Sequence, residues 1–181
     1  MPPRNDILKR IGLFGGTFNP IHVGHIKMAE AARKEYKLDV IYFIPAGIPP
    51  HKSKKDLLSA KVRYELVKKA IKGKKHFKIL DIEIKKKNPC YTIDTVLSLR
   101  HVGIGRDQSL LQFYFLIGQD EFEDLCTWHK TNQLAKLVTF LVLPRLSKKI
   151  KPPKIKNLMW FEVHTKPINI SSTAIRGLWK G

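Results

Sequence analysis

Short apolar runs alternate along the chain with stretches in which apolar residues recur every three or four positions. The runs are typical of buried β-strands and the periodic stretches of amphipathic helices. The predicted strands are Ile11–Phe14, Val40–Pro45, Phe77–Ile84, Leu110–Ile117, Leu137–Leu143 and Leu158–Val163. The predicted helices are Val23–Leu38, Asp56–Ile71, Thr92–Arg100, Glu121–Cys126, Thr131–Lys136 and a last one that begins at Ser171 or Ser172. Because strands that are apolar almost throughout alternate with helices, the pattern predicts an α/β fold, a doubly wound parallel sheet covered on both faces.

The composition fits one folded domain with a large positive charge. Of the 181 residues 43% are hydrophobic, and 34 Lys and Arg residues against 15 Asp and Glu residues give a net charge of +19. This hydrophobic share excludes wholesale disorder. The charge favours a polyanionic partner, such as a nucleic acid, an anionic membrane or a phosphorylated small molecule, although a lysine-rich composition without any such partner also produces it.

The sequence gives no signal for export or membrane insertion. Met1–Arg10 is polar and lacks the apolar core of a signal peptide, and runs such as Leu137–Leu143 are too short to span a bilayer. Cys90 and Cys126 lie far apart and form no CxxC pair, which fits a reducing compartment. We therefore expect a cytoplasmic protein with no membrane partner.

The segment Gly15-Gly16-Thr17-Phe18-Asn19-Pro20-Ile21-His22-Val23-Gly24-His25 stands where the first strand gives way to the first helix. Paired glycines let the backbone approach a phosphate, and a helix N-terminus supplies unpaired N–H donors. His22 and His25 are three residues apart, so both imidazoles can lie beside the same anion. The spacing is neither a GxGxxG fingerprint nor a Walker A loop. The alternative interpretation is a tight turn followed by two surface histidines.

A second segment, Ile170-Ser171-Ser172-Thr173-Ala174-Ile175-Arg176, begins the last predicted helix. A serine at the N-cap leaves hydroxyl and N–H groups at the start of the helix, and Arg176 lies one turn beyond Ser172 on the same face. By itself this segment also fits an ordinary capped helix with a surface arginine. Two anion-ready helix starts in one α/β domain favour a phosphorylated ligand.

Together, GGTFNPIHVGH and ISSTAIR resemble the nucleotidyltransferase superfamily. The stretches FIPAGIPPHK (43–52), YTIDT (91–95), FLIGQD (115–120), Leu125 to Trp128-His129 and Leu143-Pro144-Arg145 make the chain similar to the bacterial nicotinate-nucleotide adenylyltransferase family. The resemblance covers nearly the whole chain. It implies a single Rossmann-like nucleotidyltransferase domain over residues 1–181, with the family's C-terminal helical segment shortened or missing. It also implies an enzyme of NAD biosynthesis that transfers AMP from ATP to nicotinate mononucleotide.

The resemblance implies roles for particular residues on the ATP side. His22 and His25 are expected to be catalytic and to contact the phosphates, and His25 is the expected stabiliser of the transition state. The expected ATP-binding residues are Gly15, Gly16, Thr17, Phe18, Gly118, Asp120, Ser171, Ser172, Thr173 and Arg176. Asp120 is expected to accept hydrogen bonds from the ribose hydroxyls, and the Ser171–Arg176 group to hold the leaving phosphates.

On the acceptor side the resemblance points to His51, Lys52, Thr92, Trp128 and Arg145. Trp128 is expected to stack on the pyridine ring, and the basic residues to meet phosphate. Mg²⁺ is expected to be carried by the ATP phosphates, so no protein metal site is predicted. The expected partners are the small substrates ATP and nicotinate mononucleotide, and neither a nucleic acid nor a membrane is expected as a partner. Assembly into a homo-oligomer is left open as a possibility.

Three alternatives remain at this point. The acceptor can be nicotinamide mononucleotide, since the choice depends on a single carboxylate or amide contact. Pantetheine-phosphate adenylyltransferases share the first motif, but that family usually has threonine at the position of His22 and lacks the PPHK and TIDT stretches. A basic nucleic-acid-binding protein belongs to another class, and the dispersed lysines without interleaved aromatic residues disfavour it.

Overall fold

The computed structural model describes residues 8–49, 57–86, 88–102, 110–144, 149–165 and 170–178. Six strands form one sheet in the described part of the chain. They are β1 (Lys9–Gly16), β2 (Val40–Pro45), β3 (Phe77–Ile79), β4 (Leu111–Gly118), β5 (Thr139–Leu143) and β6 (Trp160–Glu162). The helices are α1 (Val23–Glu35), α2 (Ala60–Ala70), α3 (Thr92–Val102), α4 (Gln119–Glu123), α5 (Thr131–Leu134) and α6 (Ser172–Leu178), with a 3-10 turn at Leu125–Thr127. Among the described helices none is both long and apolar enough to cross a bilayer.

All five strand pairings are parallel, and the strand order is β3-β2-β1-β4-β5-β6. The order reverses between β1 and β4, whose register pairs Leu13 with Phe115. A crevice opens at the carboxyl ends of strands where the order reverses, and ligands of open α/β sheets bind there. The predicted doubly wound parallel sheet is therefore confirmed, and β1 and β4 end at its expected ligand site.

Each face of the sheet is covered by its own group of helices. One core contains Ile93 and Val96 of α3 together with Phe122 of α4 and Leu134 of α5. The other contains Ala29 and Ala32 of α1 and Val67 of α2. Strand residues alternate between the two cores because successive side chains point to opposite faces. Full burial of each large apolar side chain contributes about 1.5–3 kcal/mol, so both layers fix the strand ends that carry the motifs.

The predicted ends of β1 and β3 differ from the observed ends. Gly15 and Gly16 were expected to form a turn after the first strand, but both continue β1 and pair with Ile44 and Pro45. Close packing explains the glycines, because a Cβ at Gly15 would lie 3.1 Å from the Phe115 ring. The strand expected at 77–84 ends at residue 79, since residues 82–85 turn back.

The start and the buried face of α2 also differ from the prediction. The helix begins at Ala60 because Ser59 caps it, its Oγ accepting the N–H of Val62 at 3.3 Å. Apolar residues recur at Leu58, Val62, Leu66 and Ala70, and this spacing predicts that they form the buried stripe of the helix. The helix instead buries Arg63 and Val67, while Val62 is 44% exposed. An arginine on the buried face has no apolar signal, so the periodicity put the stripe one position too early. Thr92 stands where a threonine can act as the N-cap of the predicted helix. In the structure Thr92 is instead the first helical residue, and the Tyr91 carbonyl accepts the first N–H bonds.

Candidate active site

The loop between β1 and α1 is fixed to the end of β2. The Gly16 carbonyl accepts the N–H of Ala46 at 2.9 Å. Phe18 then adopts a φ of 46°, a left-handed conformation that bulky residues seldom take. Its ring is only 3% exposed and packs edge-on to the ring of Phe14, with centroids 5.4 Å apart. Phe18 can therefore offer a ligand its backbone, but not its side chain.

His22 and His25 stack on each other at the N-terminus of α1. Their ring centroids are 3.8 Å apart and the rings are inclined by 33°. The backbone N–H of His22 donates to Nδ1 of His25 at 3.2 Å. Because Nδ1 accepts this bond, the proton of the neutral His25 ring must be on Nε2. The start of the helix thus fixes the tautomer of His25.

Both imidazoles are neutral near pH 7 in the ligand-free protein. Burial lowers the pKa of His22. Burial, and to a smaller extent the neighbouring His22, lower the pKa of His25 to about 3. A neutral ring with its proton on Nε2 can still donate a hydrogen bond to a phosphate oxygen. A polyanion bound beside the pair would favour the protonated form and raise both pKa values.

Gly24 makes the position of His22 possible. A Cβ at Gly24 would lie 2.8 Å from Nδ1 of His22 and 3.0 Å from Cγ2 of Ile170. A glycine between His22 and His25 predicts room for a nucleotide against the first turn, but the His22 ring and the start of the second motif fill that space. A glycine is needed here for the approach of these two side chains.

The segment that begins at Ile170 contacts the segment after β1, although the two are far apart in the sequence. The Ser172 hydroxyl donates to the Pro20 carbonyl at 2.9 Å, and Nη1 of Arg176 donates to the Asn19 carbonyl at 2.6 Å. Nη2 of Arg176 also donates to the Thr173 hydroxyl at 3.2 Å. A guanidinium carries five N–H donors, so these two bonds do not exhaust it. The structure thus brings the two anion-ready segments together beside the His22–His25 pair.

Ser171 caps this last helix, as the sequence predicts. Its hydroxyl accepts the N–H of Ala174 at 3.1 Å, and its carbonyl accepts the N–H of Ile175 at 3.1 Å. The cap holds the first turn of α6 beside Asn19 and Pro20. Thr173 and Ala174 are exposed there, so that turn is open to solvent.

The end of β4 faces the end of β1 at the point where the strand order reverses. Gly118 follows Phe115 by three residues, as Gly16 follows Leu13 on the paired strand. No described atom lies within 4 Å of the position that a Cβ would take at Gly118. The next residue, Gln119, is 1% exposed and donates to Glu123 at 2.8 Å and to the Lys149 carbonyl at 3.4 Å. These bonds of the buried Gln119 side chain fix the start of α4, and Asp120 is exposed in the first turn of that helix.

Thr92 and Trp128, the two expected acceptor residues that the structure describes, lie on segments in mutual contact. The ring of Tyr91, just before Thr92, stacks on the ring of His129 with centroids 4.5 Å apart. Trp128 is half-buried, its ring meeting the edge of Phe115 at 6.0 Å and 89°. The Trp128 carbonyl accepts the Thr131 hydroxyl at 2.6 Å, which fixes the backbone of this turn.

The chain is similar to several known proteins. A family model described as cytidylyltransferase-like matches residues 13–178. A protein of Clostridium acetobutylicum, described as a probable nicotinate-nucleotide adenylyltransferase, is 40% identical over 179 residues, covering 93% of this chain and 86% of the relative. One of Shouchella clausii with the same description is 41% identical over 174 residues, covering 93% and 83%. This chain belongs to the nicotinate-nucleotide adenylyltransferase family.

A solved structure shows the same fold at lower identity. It is the Plasmodium falciparum nicotinic acid mononucleotide adenylyltransferase complexed with NaAD, with a TM-score of 0.74 and 20% identity over 93% of this chain and 83% of that one. At this identity the likeness supports the fold alone. The family resemblance and the nucleotidyltransferase class expected from the sequence are confirmed by the relatives.

Three of the acceptor-side residues expected from the family resemblance, His51, Lys52 and Arg145, lie outside the described residues. Within the described chain there is no group of three or more His, Cys, Asp or Glu side chains that could hold a metal ion.

Sequence reasoning missed two buried charged residues beside the site. Arg63 is 1% exposed and donates to the Thr17 carbonyl at 2.8 Å. Glu83 is 9% exposed and accepts the Thr95 hydroxyl at 2.8 Å. A single sequence carries little signal for either residue, although Arg63 stands four residues before Val67 and so shares its helix face.

Proposed function

We propose that this chain transfers the adenylyl group of ATP to nicotinate mononucleotide. A phosphate oxygen of the mononucleotide forms a bond to the α-phosphorus of ATP. The bond from that phosphorus to the bridging oxygen of the β-phosphate breaks, and pyrophosphate leaves with the electron pair. The products are deamido-NAD and pyrophosphate. The relatives described as nicotinate-nucleotide adenylyltransferases support this assignment over most of the chain.

The observation that carries the proposal is the meeting of the two motifs at the end of β1. The contacts of Ser172 with Pro20 and of Arg176 with Asn19 put a capped helix start beside His22 and His25. Adenylyl transfer needs little covalent chemistry from the protein, and catalysis comes from positioning and charge stabilisation. Neutral and cationic donors that converge on one small volume suit such a reaction.

His25 acts through Nε2 in this proposal. Because Nδ1 is held by the His22 N–H, Nε2–H is the group available to a phosphate oxygen. It donates to an α-phosphate oxygen as negative charge builds there, and the bound polyanion favours protonation of the ring. His22 contacts the same phosphates. Ser171, Ser172, Thr173 and Arg176 hold the β- and γ-phosphates that depart.

The remaining binding roles follow from position. The backbones of Gly15, Gly16, Thr17 and Phe18 and the open space above Gly118 receive the adenosine side of ATP, and Asp120 accepts hydrogen bonds from its ribose. Mg²⁺ would be held mainly by the phosphate oxygens of ATP and by water, as this ion prefers, and would supply neutralisation of phosphate charge. Thr92 and Trp128 receive the pyridine ring of the acceptor, and His51, Lys52 and Arg145 its phosphate.

A cytoplasmic location is part of the proposal. Both described cysteines are free thiols, Cys90 buried and Cys126 exposed. Exposed free thiols persist where the medium is reducing.

The net charge of +19 draws two anionic substrates toward the protein.

The test is pyrophosphate release by the purified protein with ATP, Mg²⁺ and nicotinate mononucleotide. The informative variant is His25→Asn, because the Asn oxygen can take over the acceptor role of Nδ1 while no donor remains at the place of Nε2. We expect a fall in kcat of about 100-fold or more with the helix intact. The matched control is His76→Asn, an exposed histidine bonded to the Asp39 carbonyl far from the site, which should keep full activity.

Parallel reactions with nicotinamide mononucleotide and with phosphopantetheine as acceptor separate the related activities. We expect the highest kcat/KM with nicotinate mononucleotide. The absence of pyrophosphate with every acceptor, together with salt-sensitive retardation of DNA, would replace the enzyme by a nucleic-acid-binding protein.

A further inference from the structure

Arg63 of α2 is fully buried and binds three backbone carbonyls. Its Nε donates to Leu58 at 3.0 Å, Nη1 to Thr17 at 2.8 Å and Nη2 to Gly47 at 2.9 Å. The three acceptors belong to the segment before α2, the loop after β1 and the loop after β2. A flat guanidinium with donors in fixed directions can hold three such segments at once, which a lysine cannot.

Glu83 continues these contacts on the other side of Gly47. The Gly47 N–H and the Thr95 hydroxyl both donate to the Glu83 carboxylate, the latter at 2.8 Å. Burial raises the pKa of Glu83, while these bonds and the charges of Lys86 and Arg63 act in the opposite direction. A Cβ at Gly47 would lie 2.2 Å from the Glu83 carbonyl oxygen, so only glycine fits between the two segments.

A continuous path of contacts therefore joins the two halves of the site. It runs from the Thr17 carbonyl through Arg63, Gly47 and Glu83 to Thr95. Thr17 belongs to the proposed ATP loop. Thr95 lies one helical turn after Thr92, at the start of the helix that carries the proposed acceptor contact.

We propose that Arg63, Glu83 and Thr95 are positioning residues that hold the ATP loop and the acceptor helix α3 at the separation that in-line transfer requires. None of the three is assigned a substrate contact. The inference rests on the proposed function, because it gives these contacts a reaction to align. We call the connected contacts of Arg63, Glu83 and Thr95 the brace. An error of about 1 Å between reacting groups can cost about 100-fold in rate, so loss of the brace would act mainly on kcat.

The cost of burying these groups supports a role beyond packing. Apolar residues of similar volume often replace buried charges with neutral or favourable effect on stability. Buried polar groups are more useful where they fix one arrangement of segments, and Arg63 bonds the carbonyls of Thr17 and Gly47, which lie 46 and 16 residues before it in the sequence. The brace therefore serves geometry at the place where the two substrates meet.

The test compares Thr95→Val with Thr95→Ser. Valine keeps the shape and removes the hydroxyl, whereas serine keeps the bond to Glu83. We expect Thr95→Val to lower kcat about tenfold for the pair of substrates, with KM for ATP changed less than twofold, and Thr95→Ser to stay near wild type. The control is Tyr36→Phe. It removes a hydroxyl that donates to the Glu162 carbonyl at 2.5 Å, far from the brace, and it should leave kcat unchanged.

A second measurement does not depend on activity. Amide hydrogen exchange of the ligand-free protein reports whether Thr95 on α3 steadies the loop at Thr17. We expect exchange in peptides covering residues 15–19 to quicken about tenfold in Thr95→Val and in Arg63→Lys, but not in Thr95→Ser or Tyr36→Phe. Thr95→Val is the more conservative change and keeps the test decisive if Arg63→Lys does not fold.

The outcomes separate the brace from the proposed reaction. If the wild-type protein is inactive but exchange at residues 15–19 is still faster in Thr95→Val, the adenylyl transfer is refuted while the mechanical coupling between Thr95 and the loop stands. An active wild-type protein whose Thr95→Val variant has unchanged exchange and unchanged kcat would overturn the inference. Quickened exchange with unchanged kcat would show that the contacts serve stability alone and would also overturn it.

Discussion

The replacement Gly24→Ala tests whether the geometry of the histidine pair matters for catalysis. The new Cβ would lie 2.8 and 2.9 Å from two ring atoms of His22 and 3.0 Å from Cγ2 of Ile170. Ordinary carbon contacts are about 3.5–4.0 Å, so the His22 ring must withdraw by about 0.7 Å. It stacks on His25 with centroids 3.8 Å apart, so the displacement passes to the proposed catalytic ring.

The expected loss is kinetic rather than thermodynamic. A shift of about 1 Å at a reacting group costs up to about 100-fold, so we expect kcat/KM to fall between about 10- and 100-fold. Overpacking costs about 1–3 kcal/mol, and Ala gains up to about 1 kcal/mol over Gly in a helix, which leaves a net destabilisation near 0–2 kcal/mol. Pyrophosphate release measures the first quantity and thermal unfolding the second, where a change of only a few degrees in Tm is expected.

The matched control for this substitution is Gly177→Ala. Gly177 is also helical, but no described atom lies within 4 Å of its added Cβ, so neither activity nor stability should suffer. Wild-type kcat/KM in Gly24→Ala, or an equal loss in both variants, would refute the reasoning from ring position.

Three further predictions concern single residues of the site. Gly118→Ala places a methyl group where no described protein atom lies within 4 Å, and the φ of −69° suits alanine, so Tm should not change. If the nucleotide fills that space, KM for ATP should rise at least tenfold. An unchanged KM would remove Gly118 from the ATP site. Trp128→Leu should raise KM for nicotinate mononucleotide about 3- to 10-fold and leave KM for ATP unchanged, and an equal effect on both substrates would argue against pyridine stacking. In the ligand-free protein, ¹⁵N chemical shifts should show His25 neutral with its proton on Nε2 from pH 8 to 5. Because the folded pKa of His25 is about 3 and lies below its unfolded value, this residue makes stability fall as pH drops from about 6.5 toward 3. His22, whose pKa is also lowered by burial, adds to the same slope, so His25→Asn should reduce the slope. A slope unchanged by His25→Asn would contradict the burial argument.

The sequence sufficed for the alternating strands and helices and for the two motifs because their signals are local. Apolar runs mark β2, β4 and β5 within two residues of their observed ends. The pairing of His22 with His25 also follows from a spacing of three residues at a helix start. A box of this kind, with the third helical side chain reaching back to the N-cap N–H, is a known local pattern in which histidine here takes the usual place of Glu or Gln.

The brace residues were beyond the sequence for a different reason. Arg63 is buried because carbonyls from three separate segments satisfy it, and those segments meet only after the sheet has formed. The same holds for Glu83, whose partners come from the loop after β2 and from α3. Long-range polar satisfaction leaves no periodic trace, and a periodic reading assigns such charged residues to the surface.

The hydrogen bond from Arg176 to Asn19 spans 157 positions of the chain, which makes the timing of biosynthesis relevant. At translation rates of about 5–20 residues per second, the ribosome adds these residues in about 8–30 s. Throughout that interval a nascent chain has the histidine half of the phosphate site without the arginine half. ATP therefore cannot lend its full binding energy to the folding of the first strands, which must rely on apolar burial until the last helix is made.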